Sequence, residues 1–158
     1  MKNYQRRVIG ILTLGGSFTG VVLSAEQLMS VSGVMPVLIY VAFTALYAWG
    51  VWLGIAVLEN LSKFERGLSK FWCLQIPAFW SPIFGYFFTS GFHLTVFINL
   101  SGLSVTGNFQ AGSVFKFSLL QSGQPWQVGV NIFAVGVVLF LSKSIRSSEK
   151  GYAPSSAA

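Results

Sequence analysis

The chain carries few side chains able to act in catalysis or to hold a metal. It has one histidine, His93, one cysteine, Cys73, four glutamates and no aspartate. A single cysteine cannot form an internal disulfide or a multi-thiolate zinc site. The absence of aspartate excludes a Ser-His-Asp triad, an aspartate dyad and an EF-hand loop. We therefore expect no catalytic residue, no metal site and no cofactor, in a protein that is not an enzyme.

The composition indicates a membrane protein. Of 158 residues, 53% are hydrophobic and only 9% are charged, whereas soluble domains carry about 25% charged residues. A surface so poor in charge is poorly solvated, so we expect the lipid bilayer to cover much of it. The length suits one compact unit, predicted as a single membrane domain over residues 1–142.

Four apolar segments are long enough to cross a bilayer as helices. They span about residues 8–29, 36–58, 71–88 and 126–142. The predicted fold is therefore a membrane all-α protein with a small β insertion. Its core is a four-transmembrane-helix bundle with both termini in the cytoplasm.

The segment 93–120 has a different periodicity. Apolar and polar residues alternate with period two in three runs, which glycine-containing links of hairpin length separate. As a helix it would place many hydroxyl and amide side chains in lipid. We predict an extracytoplasmic antiparallel β-meander here, between helices three and four.

The basic residues give an independent indication of orientation. Three lie in each of the segments 1–7, 59–70 and 143–158, which leaves only Lys116 elsewhere. With four spans, all three segments face the cytoplasm, as the positive-inside rule requires. This distribution favours a bacterial inner membrane and a polar cytoplasmic tail over 143–158. It does not favour nucleic-acid binding, because no basic motif accompanies it.

The first apolar run also resembles a signal peptide, with a potential cleavage site near Ser24 or Ala25. The run is longer than the usual apolar core of a signal peptide, which favours a retained span. Cleavage would leave the orientation of the later spans unchanged.

Two small-residue motifs predict close helix packing. Gly16 and Gly20 lie four residues apart in the first span, as do Gly50 and Gly54 in the second. Such pairs form a shallow groove in which two backbones approach closely. We expect these glycines to pack helices one and two as an antiparallel pair. The alternatives are an oligomer interface and ordinary membrane-helix glycines.

The third and fourth predicted spans contain prolines and polar side chains. Pro77 and Pro82 would kink the third helix, either to line a binding site or as a static bend. Gln75 lies near its cytoplasmic end, and Asn131 lies within the fourth span. The Asn131 amide is expected to bond to a neighbouring helix rather than to a substrate.

These features favour a non-enzymatic integral membrane protein that acts through protein contacts, as an accessory subunit, an assembly factor or an immunity-type protein. The partner would be another membrane protein or a second copy. Phe97, Phe115 and Phe117 of the meander are the predicted partner surface, unless this apolar face only covers the helix ends. The alternative is a small oligomeric channel or transporter.

Overall fold

The computed structural model describes residues 3–61 and 64–150. This part of the chain forms four helices and six strands. The helices are α1 (Asn3–Ser30), α2 (Val34–Leu58), α3 (Glu65–Cys73) and α4 (Ile132–Lys150). The strands are β1 (Pro77–Trp80), β2 (Phe84–Thr89), β3 (Phe92–Asn99), β4 (Ser104–Ala111), β5 (Val114–Leu119) and β6 (Gln127–Asn131).

Helices α1 and α2 form a long apolar hairpin. Both are long and apolar enough to cross a membrane. Small residues bring them together: a Cβ atom on Gly20 would overlap the Tyr47 ring, and one on Gly54 would lie 2.9 Å from Leu14. At Gly50 an added Cβ would meet both Ser17 of α1 and the α3 ring of Phe71. Three of the four predicted packing glycines therefore lie where α1 meets α2, and Gly50 also contacts α3.

The six strands form one antiparallel sheet in the order β4-β3-β6-β1-β2-β5. Only residues 112–113 join the two edge strands, β4 and β5. Only residues 90–91 join β2 and β3, which lie three places apart. Two linking residues span at most about 11 Å between strand ends, whereas the edges of a flat six-stranded sheet lie roughly 24 Å apart. The sheet must therefore curl until its edges approach at the end that carries both links, which we call the closed end.

Ring contacts identify the face that lies inside the curl. The Phe87 ring on β2 lies 5.2 Å from the His93 ring and 5.9 Å from the Phe97 ring, both on β3. In a flat sheet, strands three places apart are separated by about 14 Å, so these side chains meet only on a concave face. The opposite, convex face carries apolar side chains at alternate positions along the strands.

The closed end docks halfway along the 28-residue helix α1. There the Ser17 hydroxyl bonds to the Ser90 hydroxyl over 3.0 Å, and the Ser113 hydroxyl donates to the carbonyl of Gly16. A Cβ atom on Gly16 would overlap the backbone nitrogen of Gly91, which has a φ of +90°. Gly16 thus packs against the sheet rather than against α2.

Helix α2 covers half of the convex face. The Phe43 ring stacks on Phe115 at 4.5 Å and lies 5.9 Å from Phe88. The buried Tyr47 hydroxyl donates to the carbonyl of Thr89 over 2.9 Å. These contacts place the sheet beside the first half of α2.

Helices α3 and α4 pack together beside the remaining half of the hairpin. The fully buried Trp72 donates its indole N–H to the Thr13 hydroxyl over 3.1 Å and packs against Phe133 of α4. Phe71 packs edge-on against Trp49 of α2. The hairpin is therefore flanked by the sheet along one half and by two shorter helices along the other.

The predicted four-transmembrane-helix bundle is wrong. The third predicted span, 71–88, contains the end of α3 followed by β1 and β2, and the fourth, 126–142, contains β6 and the first part of α4. Only α1 and α2 pass as candidate spans within residues 3–61 and 64–150. Short apolar strands and buried helix segments have the same composition as membrane helices, and periodicity alone does not separate them.

Other parts of the four-helix prediction change with it. Pro77 is the first residue of β1 and Pro82 lies in the β1–β2 turn, where a missing N–H costs little, so neither kinks a helix. The three alternating runs of 93–120 do form strands. They belong, however, to the six-stranded sheet, in which β5 pairs with β2 and not with β4. The predicted tail boundary at 142–143 falls inside α4, and residues 151–158 lie outside the described residues.

The contact of Gly16 with the closed end predicts a strong asymmetry between neighbouring glycines. Gly16→Ala should lower the free energy of unfolding by about 1–3 kcal/mol, because the new methyl group meets backbone atoms that cannot rotate away. Thermal unfolding of the purified protein in detergent measures the effect.

Gly15→Ala is the matched control, because nothing lies within 4 Å of the added Cβ atom. It should be neutral or raise stability by up to about 1 kcal/mol through helix propensity. Equal stability of the two variants would contradict the docking of the sheet on Gly16.

Candidate contact surface and polar interior

The concave face of the sheet is polar but filled by large rings. His93 and Thr95 are fully buried on it. The ring of Phe87 packs beside them, against the rings of both His93 and Phe97. The strand glycine Gly129 leaves room for the Phe97 ring, because a Cβ atom there would lie 2.5 Å from it. The interior of the curl is therefore a packed layer.

His93 lies among partners from three strands. Its Nδ1 atom is 3.4 Å from the hydroxyl of Thr89, and its side chain hydrogen-bonds to Asn108 of β4. Burial lowers the pKa of His93; the bond to Asn108 opposes this shift, and the ammonium group of Lys116 adds to it. The hydroxyl of the neighbouring Thr95 has no hydrogen-bond partner.

The imidazole of His93 has no carboxylate partner on the sheet. The sequence has no acidic residue between Glu65 and Glu149, so no carboxylate lies on the sheet to orient the imidazole as a general base. No group of three potential metal-ligating side chains occurs among residues 3–61 and 64–150.

Tyr86 of β2 is a second titratable residue of the sheet and is half-buried. Burial raises its pKa to about 12, and its hydroxyl donates to the carbonyl of Leu74 over 2.8 Å.

The two predicted polar residues connect elements of the fold. Gln75, in the α3–β1 link, accepts a bond from the N–H of Ser90 over 2.8 Å and so fixes the closed end to α3. Asn131 ends β6, and its Oδ1 atom accepts from the N–H of Ala134 as the N-cap of α4 and from that of Leu94. The buried Nδ2 atom of Asn131 has no partner.

The three predicted partner-surface phenylalanines are not brought together. Phe97 lies inside the curl, whereas Phe115 and Phe117 lie on the convex face and are half-buried, with Phe115 stacked under α2. An aspartate at position 115 would therefore disturb the helix–sheet contact itself.

A different apolar surface is not covered by α2. It covers the convex side of β4, β3 and β6, the half of the sheet that α2 does not reach, and the register places its members beside one another across the strands. We call it the convex patch; it consists of Leu94, Ile98, Val105, Phe109, Val128 and Val130, all exposed. Exposure reaches 72% at Phe109 and 67% at Val105. Contiguous apolar patches of this kind mark contacts with proteins or lipid.

Strand β4 is the edge of the sheet next to the convex patch. All eight of its residues are exposed, and it pairs only with β3 within the described chain. Its sequence, SVTGNFQA, contains no lysine, proline or other device that protects an edge from pairing with a further strand. The alternation of residues 94–100 predicts this apolar face from the sequence. It does not predict that the face stays uncovered in the fold.

The environment of His93 makes its titration predictable. The imidazole should titrate below 6.5, and the folded protein should lose stability as the pH falls below about 6.5, because the unfolded chain then binds a proton that the folded state does not. Lys116→Gln should raise the pKa of His93, and Asn108→Leu should lower it further.

Proton NMR of the imidazole measures these shifts without ambiguity, because the chain has one histidine. Lys70→Gln, which removes the same charge from the exposed surface of α3, is the control and should leave the titration unchanged. A midpoint at or above 6.5 would contradict the buried position of His93.

The arrangement as a whole offers an unpaired strand edge, an exposed apolar patch and a packed polar interior. Comparison with protein-family models, with curated proteins and with solved structures finds no match for this chain.

Proposed function

We propose that this chain is a non-enzymatic integral membrane protein that binds an extended segment of another membrane protein along strand β4. The observation that carries the proposal is the unprotected β4 edge beside the convex patch. A partner strand added at this edge would have apolar side chains on the convex side and polar ones on the concave side. Such binding suits an accessory subunit or an assembly factor.

Membrane insertion is supported by the outer surface of the hairpin. Apolar side chains of α1 and α2 that face away from the sheet are exposed, among them Ile11, Phe18, Leu38 and Trp52. Because the sheet docks halfway along α1, a spanning hairpin would hold the closed end near mid-depth. At such a depth a sheet needs apolar side chains towards lipid and polar side chains away from it, and this sheet has an apolar convex face and a polar concave face.

Lipid alone is a poor cover for β4. Hydrocarbon offers no hydrogen bonds, and each unsatisfied backbone group in lipid costs several kcal/mol. An edge strand at membrane depth therefore favours a protein partner that completes the ladder. This argument selects a protein strand over lipid as the occupant of the β4 edge.

The charge distribution supports an orientation with the N-terminus inside. Arg6 donates a hydrogen bond to Asn60, so the start of α1, with its basic residues Arg6 and Arg7, lies beside the end of α2. The positive-inside rule places this end in the cytoplasm. We propose a bacterial inner membrane as the location. The channel alternative gains no support from the ring-filled interior.

Cysteine labelling tests the orientation. In a Cys73→Ser background, Ser122→Cys in the exposed β5–β6 loop should react with a membrane-impermeant maleimide in intact cells. Glu59→Cys at the opposite end of the hairpin should react only after permeabilisation. The reverse pattern would contradict the proposed orientation, and labelling of both sites in intact cells would contradict membrane insertion.

Photo-crosslinking tests strand addition. A benzophenone amino acid at Gly107, where nothing lies within 4 Å of an added Cβ atom, should crosslink in native membranes to one partner protein. Val105→Lys and Phe109→Lys should each reduce the crosslink about tenfold or more, because charge at an edge strand blocks further pairing.

Leu120→Lys, at an equally exposed apolar residue beyond β5, is the matched control and should keep the crosslink. Crosslinking to lipid alone, or to a second copy alone, would contradict a separate protein partner. Equal loss in Leu120→Lys would show that charge acts on insertion rather than on β4.

A further inference from the structure

A cavity of about 610 Å³ lies along β5, the edge strand opposite β4. Its walls are mostly apolar and include Met35 and Ile39 of α2, Trp80 of β1 and Phe117 of β5. We call it the β5 groove. Its volume falls within the range of roughly 300–1,000 Å³ that is typical of small-molecule pockets.

One charged side chain distinguishes this groove from a bare apolar cleft. Lys116 is exposed, lines the groove and brings the only charge among its lining residues.

The charge of Lys116 has no counterpart nearby in the sequence. It is the only charged residue between Lys70 and Lys143, so no carboxylate of the sheet can neutralise it. A cation without a neighbouring carboxylate at an apolar groove favours a ligand with a negatively charged group.

The position of the groove indicates what else the ligand contains. Val31 and Pro36 at the α1–α2 turn form one boundary, so a membrane-spanning hairpin would place the groove near the headgroup level. Apolar walls beside a cation at this level match a molecule with a hydrocarbon chain and a charged head.

We infer that the β5 groove binds an anionic amphiphile. Its hydrocarbon chain lies against Met35, Ile39 and Phe117 on the α2 side of β5, and its carboxylate or phosphate head reaches Lys116 on the other face of this edge strand. A free fatty acid and an anionic phospholipid share this chemistry. The site lies on the edge opposite β4 and does not depend on the strand-addition proposal.

Native mass spectrometry of the full chain in a neutral detergent tests the site, with oleate, phosphatidylglycerol and phosphatidylcholine as probes. Each chain should bind one molecule of oleate, one of phosphatidylglycerol, or one of whichever is offered. Phosphatidylcholine should bind with at least tenfold lower affinity. Binding of oleate alone identifies a free acid as the source, and binding of phosphatidylglycerol alone identifies a membrane lipid. Equal binding of phosphatidylcholine overturns the inference.

Lys116→Gln should weaken binding of the anionic probe about tenfold, as expected for one charge-assisted hydrogen bond. The control Lys70→Gln removes the same charge from α3 and should bind like the original protein. Ile39→Trp should fill the groove and abolish binding. Equal affinities of Lys116→Gln and Lys70→Gln, or full binding by Ile39→Trp, overturn the inference.

Discussion

Two links of two residues each impose the curl on which the rest of this structure depends. Residues 112–113 connect opposite edges of a six-stranded sheet, and residues 90–91 connect strands three places apart. A flat sheet cannot satisfy either connection, because its edges would lie roughly 24 Å apart and strands three places apart would be separated by about 14 Å. Curling brings Phe87 of β2 within ring contact of His93 and Phe97 of β3. The same closure concentrates both links at one end, where they dock on Gly16.

The curl also decides which side of each strand meets which environment. His93 and Thr95 turn inward together with the rings of Phe87 and Phe97, whereas the other apolar residues of β3, β4 and β6 turn outward. Helix α2 covers the outward-facing apolar residues on only half of the sheet. The other half, with the edge strand β4, is exposed in the described part of the chain. The two edges thus differ, since β5 runs beside a groove and β4 beside an open patch.

The hairpin and the sheet are joined by close approach rather than by charge. Gly16 meets Gly91 backbone to backbone, the Ser17–Ser90 hydroxyl pair lies beside this contact, and Gln75 ties the same link to α3. Such contacts tolerate little added volume, because backbone atoms cannot move aside as side chains do. They hold the sheet at a fixed height beside α1.

The sequence by itself determined the apolar hairpin, through two long apolar runs, and the three strands over 92–119, through period-two alternation. It also indicated the small residues along α1 and α2. It did not determine that 71–88 contains the end of a short helix followed by two strands. A short apolar strand and a buried helix segment have the same composition, and periodicity alone does not separate them. Only the tertiary structure decided that Phe97 lies inside while Phe115 lies under α2, and that β4 is bare. The physical reason is that strand order and curl arise from contacts between residues far apart in the chain, which local periodicity does not encode.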